Sequence, residues 1–353
     1  MYQPVINLMY PSRSEIDAWP VTETGFPPRV VHACGANHIH TIGELRNRLA
    51  NALPGLGARS RMVMVRFIEW TDRIAAGDPP FTGLMDVLGA FLTESQIEIL
   101  IQRFGLRENF PLPPDRRRTL QSIGTTRQVS RERVRQVEFQ ALATLRSRLP
   151  QACLSSIHQA FMDFISQQGG ALTGQEVAAF PNGAMLDGCS PMGVLNLLCV
   201  CHPPPTFFNG CFTLLDDDQL AQLTARVNAI LNDRPLIGGG DFASLASRID
   251  LKVPGGITPR IALTYLDHAP EVLKLRDGRY ARPGPGVEML VRQIFIQADR
   301  PLHFKIILTE LNTLLKSGSR IGSGHVLEVL NGSPGFERTS SGYYRLRPAG
   351  ETT

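Results

Sequence analysis

The sequence lacks several features that would assign it to a broad class. It has no run of eighteen apolar residues, so no membrane span is predicted. Its first residues lack the basic and apolar segments of a secretory signal. Six cysteines among 353 residues are too few for a disulfide scaffold. We therefore expect a soluble, cytoplasmic protein with reduced thiols and no membrane partner.

Patterns typical of enzymes and metal sites are also missing from the sequence. Gly238-Gly239-Gly240 is not followed by the Lys and Ser or Thr of a phosphate-binding loop. Cys199, Cys201 and His202 are spaced Cys-x-Cys-His, which differs from the paired Cys-x-x-Cys of zinc knuckles. The leucines and valines around them favour buried, structural cysteines. We expect no catalytic residue, no metal and no other cofactor.

Positive charge is concentrated in one segment. The first lysine is Lys252, and residues 101–150 contain eleven arginines against four acidic residues, a surplus of seven. The whole chain has a net charge of only +4. A local excess of arginine is typical of a surface that binds nucleic-acid phosphates.

Proline and glycine divide the chain into predicted segments. The fold class is mainly α with small β-hairpins (α+β), in tandem domains. The predicted segments are an extended arm over 1–27, a helix-hairpin-helix domain over 28–78, a helix-turn-helix domain over 81–150, and winged-helix-like domains over 151–216, 217–284 and 285–348.

Three similar hairpin signals recur about every 65 residues. Their turns are Asn209-Gly210, Asp277-Gly278 and Ser340-Ser341-Gly342, each between two short apolar or aromatic runs. Helices followed by a hairpin are the plan of a winged helix. Three small α+β domains without a role in reading DNA are the alternative interpretation.

Residues 119–146 predict two packed helices. Gly124 allows the second helix to approach the first closely. Ser130 is a good helix N-cap, whereas Arg133 stands where a capping box would need an acid. Apolar residues at helical spacing predict the buried face: Leu120, Ile123, Val134, Val137, Ala141 and Leu145.

Another face of the second helix is charged and polar near its N-terminus. Arg131 and Arg135 can pair with guanine, Glu132 accepts from cytosine, and Gln136 suits adenine. Such a face suits the major groove of DNA. A solvated charged face on an ordinary helix is the alternative.

The same segment resembles region 4 of bacterial primary sigma factors. Residues 97–106 end in Arg-Phe-Gly-Leu, like the first helix of that region, and 129–146 resemble its recognition helix. The resemblance implies that this helix reads the −35 promoter element in double-stranded DNA and that RNA polymerase is a second partner. It implies base contacts by Arg131, Glu132, Arg135 and Gln136, and phosphate or positioning contacts by Arg127, Ser130 and Arg133.

One departure argues against a free-standing sigma factor. That family melts promoter DNA with an aromatic-rich helix set, for which this sequence has no counterpart. Its two tryptophans, Trp19 and Trp70, lie in no such cluster.

Two further segments resemble known domains. Residues 28–70 resemble the C-terminal domain of the RNA polymerase α subunit, which implies a minor-groove contact by Arg29 and phosphate contacts by Gly57, Arg59 and Ser60. Residues 300–346 resemble a HARE-HTH domain, a winged-helix type also found in the polymerase δ subunit. Such domains bind DNA or proteins.

We therefore expect a non-enzymatic bacterial or phage DNA-binding protein that acts in transcription. One alternative is an adaptor that binds RNA polymerase or a partner enzyme. Another is the DNA-recognition subunit of a defence or mobile-element system.

Overall fold

The computed structural model describes residues 10–49, 54, 57–78, 80–107, 117–181, 183–208, 210–246, 259–269, 272–316 and 319–347. They form two compact units. Unit 1 comprises Met1–Gln168 and Leu172–Leu214, and unit 2 comprises Gly169–Ala171 and Leu215–Thr353. None of the helices in the described ranges combines the length and the apolar character that a membrane crossing requires.

Unit 1 is mainly helical. Its helices are α1 (Arg13–Asp17), α2 (Pro28–Ala36), α3 (Ile42–Arg48), α4 (Ala58–Ala75), α5 (Leu84–Phe91), α6 (Glu94–Phe104), α7 (Leu120–Arg127), α8 (Arg131–Leu145), α9 (Arg148–Gln167), α10 (Gly174–Val177) and α11 (Pro191–Cys201). The first sheet comprises β1 (Ala171–Thr173), β2 (Thr206–Phe208) and β3 (Cys211–Thr213).

Unit 2 alternates helices with short strands. Its helices are α12 (Asp217–Asp233), α13 (Gly239–Ala246), α14 (Pro259–His268), α15 (Pro285–Ala298), α16 (Phe304–Leu314) and α17 (Ser323–Gly332). Its strands are β4 (Leu236–Gly238), β5 (Leu273–Lys274), β6 (Arg279–Ala281), β7 (Leu302–His303), β8 (Phe336–Ser340) and β9 (Tyr343–Leu346).

One order of elements occurs three times from α9 onwards: helix, strand, two helices, then a hairpin of two strands. In each three-stranded sheet the last strand lies in the middle, giving the orders β1-β3-β2, β4-β6-β5 and β7-β9-β8. The three predicted hairpins are confirmed, with antiparallel partners such as Thr206 and Thr213, or Phe336 and Leu346. Their turns contain Gly210, Gly278 and Gly342 at positive φ, as tight turns require.

The prediction of an extended arm over 1–27 is wrong for residues 10–27. Ser12 caps α1 in a capping box with Glu15. Ile16 is fully buried, and Trp19 and Phe26 join the core of unit 1. Burial of these apolar side chains provides a reason for the segment to pack rather than extend. Residues 1–9 of the predicted arm lie outside the described residues.

The core of unit 1 crosses the predicted domain limits. One hydrophobic cluster contains Ile42 from the segment 28–78, Leu100 and Leu145 from 81–150, and Phe161 from 151–216. The three segments therefore contribute to a shared core, although helices of 81–150 also bury a smaller cluster of their own. In unit 2, one cluster likewise contains residues from both 217–284 and 285–348, including Leu275 and Tyr344.

The predicted domain limit at residue 150 falls within a helix. Helix α8 already ends at Leu145, and Pro150 lies in the first turn of α9. Proline is tolerated there because the first N–H groups of a helix have no partner within the helix.

Candidate nucleic-acid interface

Helices α6, α7 and α8 form a three-helix module around a small core. Ile99 of α6, Ile123 of α7, and Val134 and Val137 of α8 are buried in one cluster, with Leu120 packed against it. Further along α8, the predicted buried residues Ala141 and Leu145 belong to the main core of unit 1. The buried face predicted from helical spacing is therefore confirmed.

The turn between α7 and α8 is tight. Gln128 adopts the left-handed conformation at φ 54°, and the N–H of Val129 donates to the carbonyl of Gly124 at 3.0 Å. A Cβ atom on Gly124 would lie only 2.7 Å from the carbonyl oxygen of Val129. The close approach predicted at Gly124 is thus confirmed, and it fixes how α8 leaves α7.

Ser130 is the N-cap of α8. Its hydroxyl oxygen accepts the backbone N–H of Arg133 at 3.1 Å, without a capping box. Both features are as predicted. The cap occupies an acceptor position of the hydroxyl, and the O–H remains a possible donor to a phosphate.

One face of α8 is exposed along its first three turns. Arg131, Glu132, Arg135 and Gln136 are all exposed, and Phe139, one turn later, is 65% exposed. At 3.6 residues per turn these five side chains fall within about 140° of the helix circumference. Phe139 is not among the residues predicted to contact DNA, although its spacing of four from Arg135 places it on this face. We call these five residues the exposed face of α8.

Three side chains of this face contact one another. The Arg135 guanidinium donates to both carboxylate oxygens of Glu132, at 2.8 and 2.7 Å. Gln136 donates to the same carboxylate at 3.4 Å. The hydrogen bonds from Arg135 are the main reason why the pKa of Glu132 is lowered, and the same contact raises the pKa of Arg135. Glu132 therefore remains ionised and holds Arg135 in place.

Arg127, Arg131 and Arg133 differ in whether their guanidinium groups are free to contact DNA. Arg127, predicted to contact phosphate, forms an ion pair with Glu98 of α6 and is mostly covered. Within the described part of the chain, the guanidinium groups of Arg131 and Arg133 form no hydrogen bond or ion pair and are exposed. Arg131 and Arg133 are thus available to an incoming ligand, whereas Arg127 must first release Glu98.

The opposite side of the module is attached to the rest of unit 1. Arg146, which follows α8, donates twice to the carbonyl of Val200 in α11, at 3.1 and 3.0 Å. The N–H of Ser190 donates to the carbonyl of Leu106 at 2.6 Å. An ion pair at 3.0 Å between Arg103 of α6 and Glu138 of α8 ties the two helices together. The exposed face is therefore carried on a supported helix.

The structure describes only some of the residues that are predicted to contact DNA in the α-subunit-like segment. Arg29 is exposed on α2, and Gly57 is the exposed N-cap of α4. Ser60 is 6% exposed, because it is turned into the core side of α4, so a direct phosphate contact by its hydroxyl is not available in this conformation. The side chain of Arg59 and most of the predicted hairpin, residues 53, 55 and 56, lie outside the described residues.

The cysteine-rich stretch is mostly buried. Burial raises the pKa of the Cys199, Cys201 and Cys211 thiols to about 12, which keeps them protonated. Among the residues that the structure describes, no three His, Cys, Asp or Glu side chains are grouped to hold a metal ion. Asp216 is the N-cap of α12 and forms a capping box with Gln219.

Comparison with known protein families gives one informative result. Residues 90–147 match the family described as Sigma-70, region 4, a DNA-binding helix-turn-helix domain of transcription-related proteins. The resemblance based on residues 97–146 is confirmed, and a DNA-binding role for this segment is supported. The resemblances of 28–70 and 300–346 stay predictions. No curated protein and no solved structure matches the chain significantly.

Proposed function

We propose that this chain is a multi-domain protein that binds double-stranded DNA in transcription and recognises a promoter-like sequence through α8. It acts by binding rather than by catalysis, in the cytoplasm and without a cofactor. The observation that carries the proposal is the exposed face of α8, at the N-terminal end of the second helix of a helix-turn-helix module.

Different side chains of the exposed face of α8 can contact different bases. Arg131 is unpaired within the described residues and can donate to the O6 and N7 atoms of guanine. Arg135 has five N–H donors, of which Glu132 occupies two, on Nε and Nη2. The donors left on Nη1 and Nη2 can still pair with a guanine. Glu132 thus orients Arg135 in the free protein, and Gln136 can read adenine once it leaves Glu132.

Phosphate contacts supply the sequence-independent part of the affinity. Arg133 is exposed beside the base-reading residues and is the first candidate. Ser130 can donate its hydroxyl, and Arg127 can join after its ion pair with Glu98 opens. We assign Arg29, Gly57 and Arg59 to a second contact on the neighbouring DNA. Several weak contacts on one chain increase the overall affinity through effective concentration.

The three repeats from α9 to β9 have the element order of winged helices. We propose that these winged-helix-like units extend the DNA footprint or bind a protein partner. RNA polymerase is the partner that we propose, because region 4 also associates with polymerase in sigma factors. Retention of polymerase from a nuclease-treated lysate tests this part, and polymerase that is retained only when the DNA is left intact would argue against it.

Selection of bound sequences from random duplex DNA with the full chain tests the central proposal. We expect one enriched sequence. Arg131→Ala or Gln136→Ala should then weaken binding to that sequence by about 1–3 kcal/mol, or roughly 5- to 150-fold. Binding to a scrambled duplex should change little.

Arg148→Ala is the matched control, because it removes an arginine of the same unit for which the described residues show a surface ion pair with Glu23 and no other partner. It should leave the preference for the selected sequence intact. Equal loss of affinity for the selected and the scrambled duplex in Arg131→Ala would contradict the base-reading role.

A further inference from the structure

An aromatic side chain lies exposed among the charged residues of α8. Phe139 is 65% exposed, among the highest values of any large apolar side chain described. Arg135 and Gln136, which precede it by four and three residues, are exposed on the same face. The neighbouring apolar residues Val137 and Ala141 are buried on the opposite side. Phe139 is therefore part of the exposed face and not a displaced core residue.

In the described part of the chain, Phe139 has no aromatic or cationic partner. Its ring stacks on no other aromatic ring there, and no cation lies over it. Exposure of a phenylalanine leaves apolar surface in water, and burying that surface on binding is favourable. The side chain therefore suits a partner that offers a small apolar group within an otherwise polar surface.

The major groove of DNA offers one such group, the C5 methyl of thymine. Phe139 lies eight positions after Arg131, so their Cα atoms lie about 12 Å apart along the helix axis. That distance corresponds to about three or four base-pair steps of roughly 3.4 Å. One helix lying in the groove can thus present Arg131 to one base pair and Phe139 to another a few steps away.

We propose that Phe139 packs against the C5 methyl of a thymine and makes that base part of the recognised sequence. This inference rests on the proposed function. The charged residues around the ring favour DNA over an apolar protein surface, because residues 101–150 have a surplus of seven positive charges.

Deoxyuridine provides the test, because it differs from thymidine only by the missing methyl. Each thymine of the selected duplex is replaced in turn, and the dissociation constant of the full chain is measured. One replacement should weaken binding by wild type about fourfold, the value for one buried methyl group. Phe139→Ala should bind the thymine and uracil duplexes equally. Phe139→Leu, which keeps an apolar side chain, should retain part of the difference.

The outcomes separate this inference from the proposal on which it rests. If no thymine replacement affects wild type, or if Phe139→Ala keeps the full difference, the thymine contact is refuted while base reading by Arg131 can stand. If wild type shows no sequence preference on duplex DNA, both are refuted. If Phe139→Ala loses only retention of polymerase, the side chain contacts protein and the inference is wrong. Unchanged thermal melting of the variants confirms that they are folded.

Discussion

Replacing Gly124 by alanine places a methyl group against the backbone of the turn before α8. The new Cβ would lie 2.7 Å from the carbonyl oxygen of Val129 and 3.4 Å from the backbone nitrogen of Arg131. Both neighbours are backbone atoms, so no side chain can rotate away to make room. The turn itself must open, which moves the start of α8 relative to α7.

Two opposing contributions determine how much Gly124→Ala changes the free energy of unfolding. Overpacking of this kind costs about 1–3 kcal/mol, whereas alanine is favoured over glycine within a helix by up to about 1 kcal/mol. Gly89 of α5 provides a matched reference, because a Cβ there meets nothing within 4 Å. Gly89→Ala should gain the helix propensity without the strain. The difference between the two variants therefore isolates the strain at Gly124, about 1–3 kcal/mol.

Thermal unfolding followed by circular dichroism measures this difference. For a unit of roughly 200 residues, 1 kcal/mol corresponds to about 2–4 °C, so Gly124→Ala should melt about 2–12 °C below Gly89→Ala. Gly124→Ala should also bind the selected duplex more weakly, since the angle of α8 changes. Equal melting temperatures of the two variants would refute the close contact at the turn.

Three further results are expected. Phe161→Ala should cost about 3–5 kcal/mol in denaturant unfolding, because the fully buried ring stacks on Phe180 with centroids 4.0 Å apart; an unchanged midpoint would contradict this packing. Burial is the main cause that lowers the pKa of His202 to about 4 from its ordinary value of 6.5. As the pH falls, His202 therefore becomes protonated in the unfolded chain before it does so in the folded protein, and the free energy of unfolding should fall as the pH drops from about 6.5 to 4. His202→Gln should reduce this fall, and a pH profile identical to that of wild type would argue against the role of His202. Arg133→Ala should reduce the slope of log affinity against log salt by about one on any duplex, and an unchanged slope would exclude a phosphate contact.

Local patterns made the helix-turn-helix module predictable. The buried side chains Val134 and Val137, the cap at Ser130 and the close approach at Gly124 all depend on residues near one another in the chain. The same holds for the hairpins, whose turns are set by one or two residues. Glu132 and Arg135 stand three residues apart on one helix, a spacing that also predicts their ion pair.

Contacts between distant segments were not predictable. Trp70 packs against Phe67, Phe81 and Phe91, with ring centroids 5.0–5.3 Å apart. Phe67 and Trp70 stand three residues apart on α4, a spacing that predicts their contact. Phe81 precedes α5 and Phe91 lies in it, and no spacing rule connects them to Trp70. The core that joins residues 10–27 to α9 depends in the same way on tertiary packing, which local spacing does not predict.

Placement of α8 in the major groove is the central claim, and protection of guanine N7 tests it most directly. This atom lies in the major groove and reacts with dimethyl sulfate in free DNA. In the selected duplex, the full chain should protect at least one guanine N7, and Arg131→Ala should lose that protection while the complex still forms. Guanine N7 atoms that all stay as reactive in the complex as in free DNA would contradict the account.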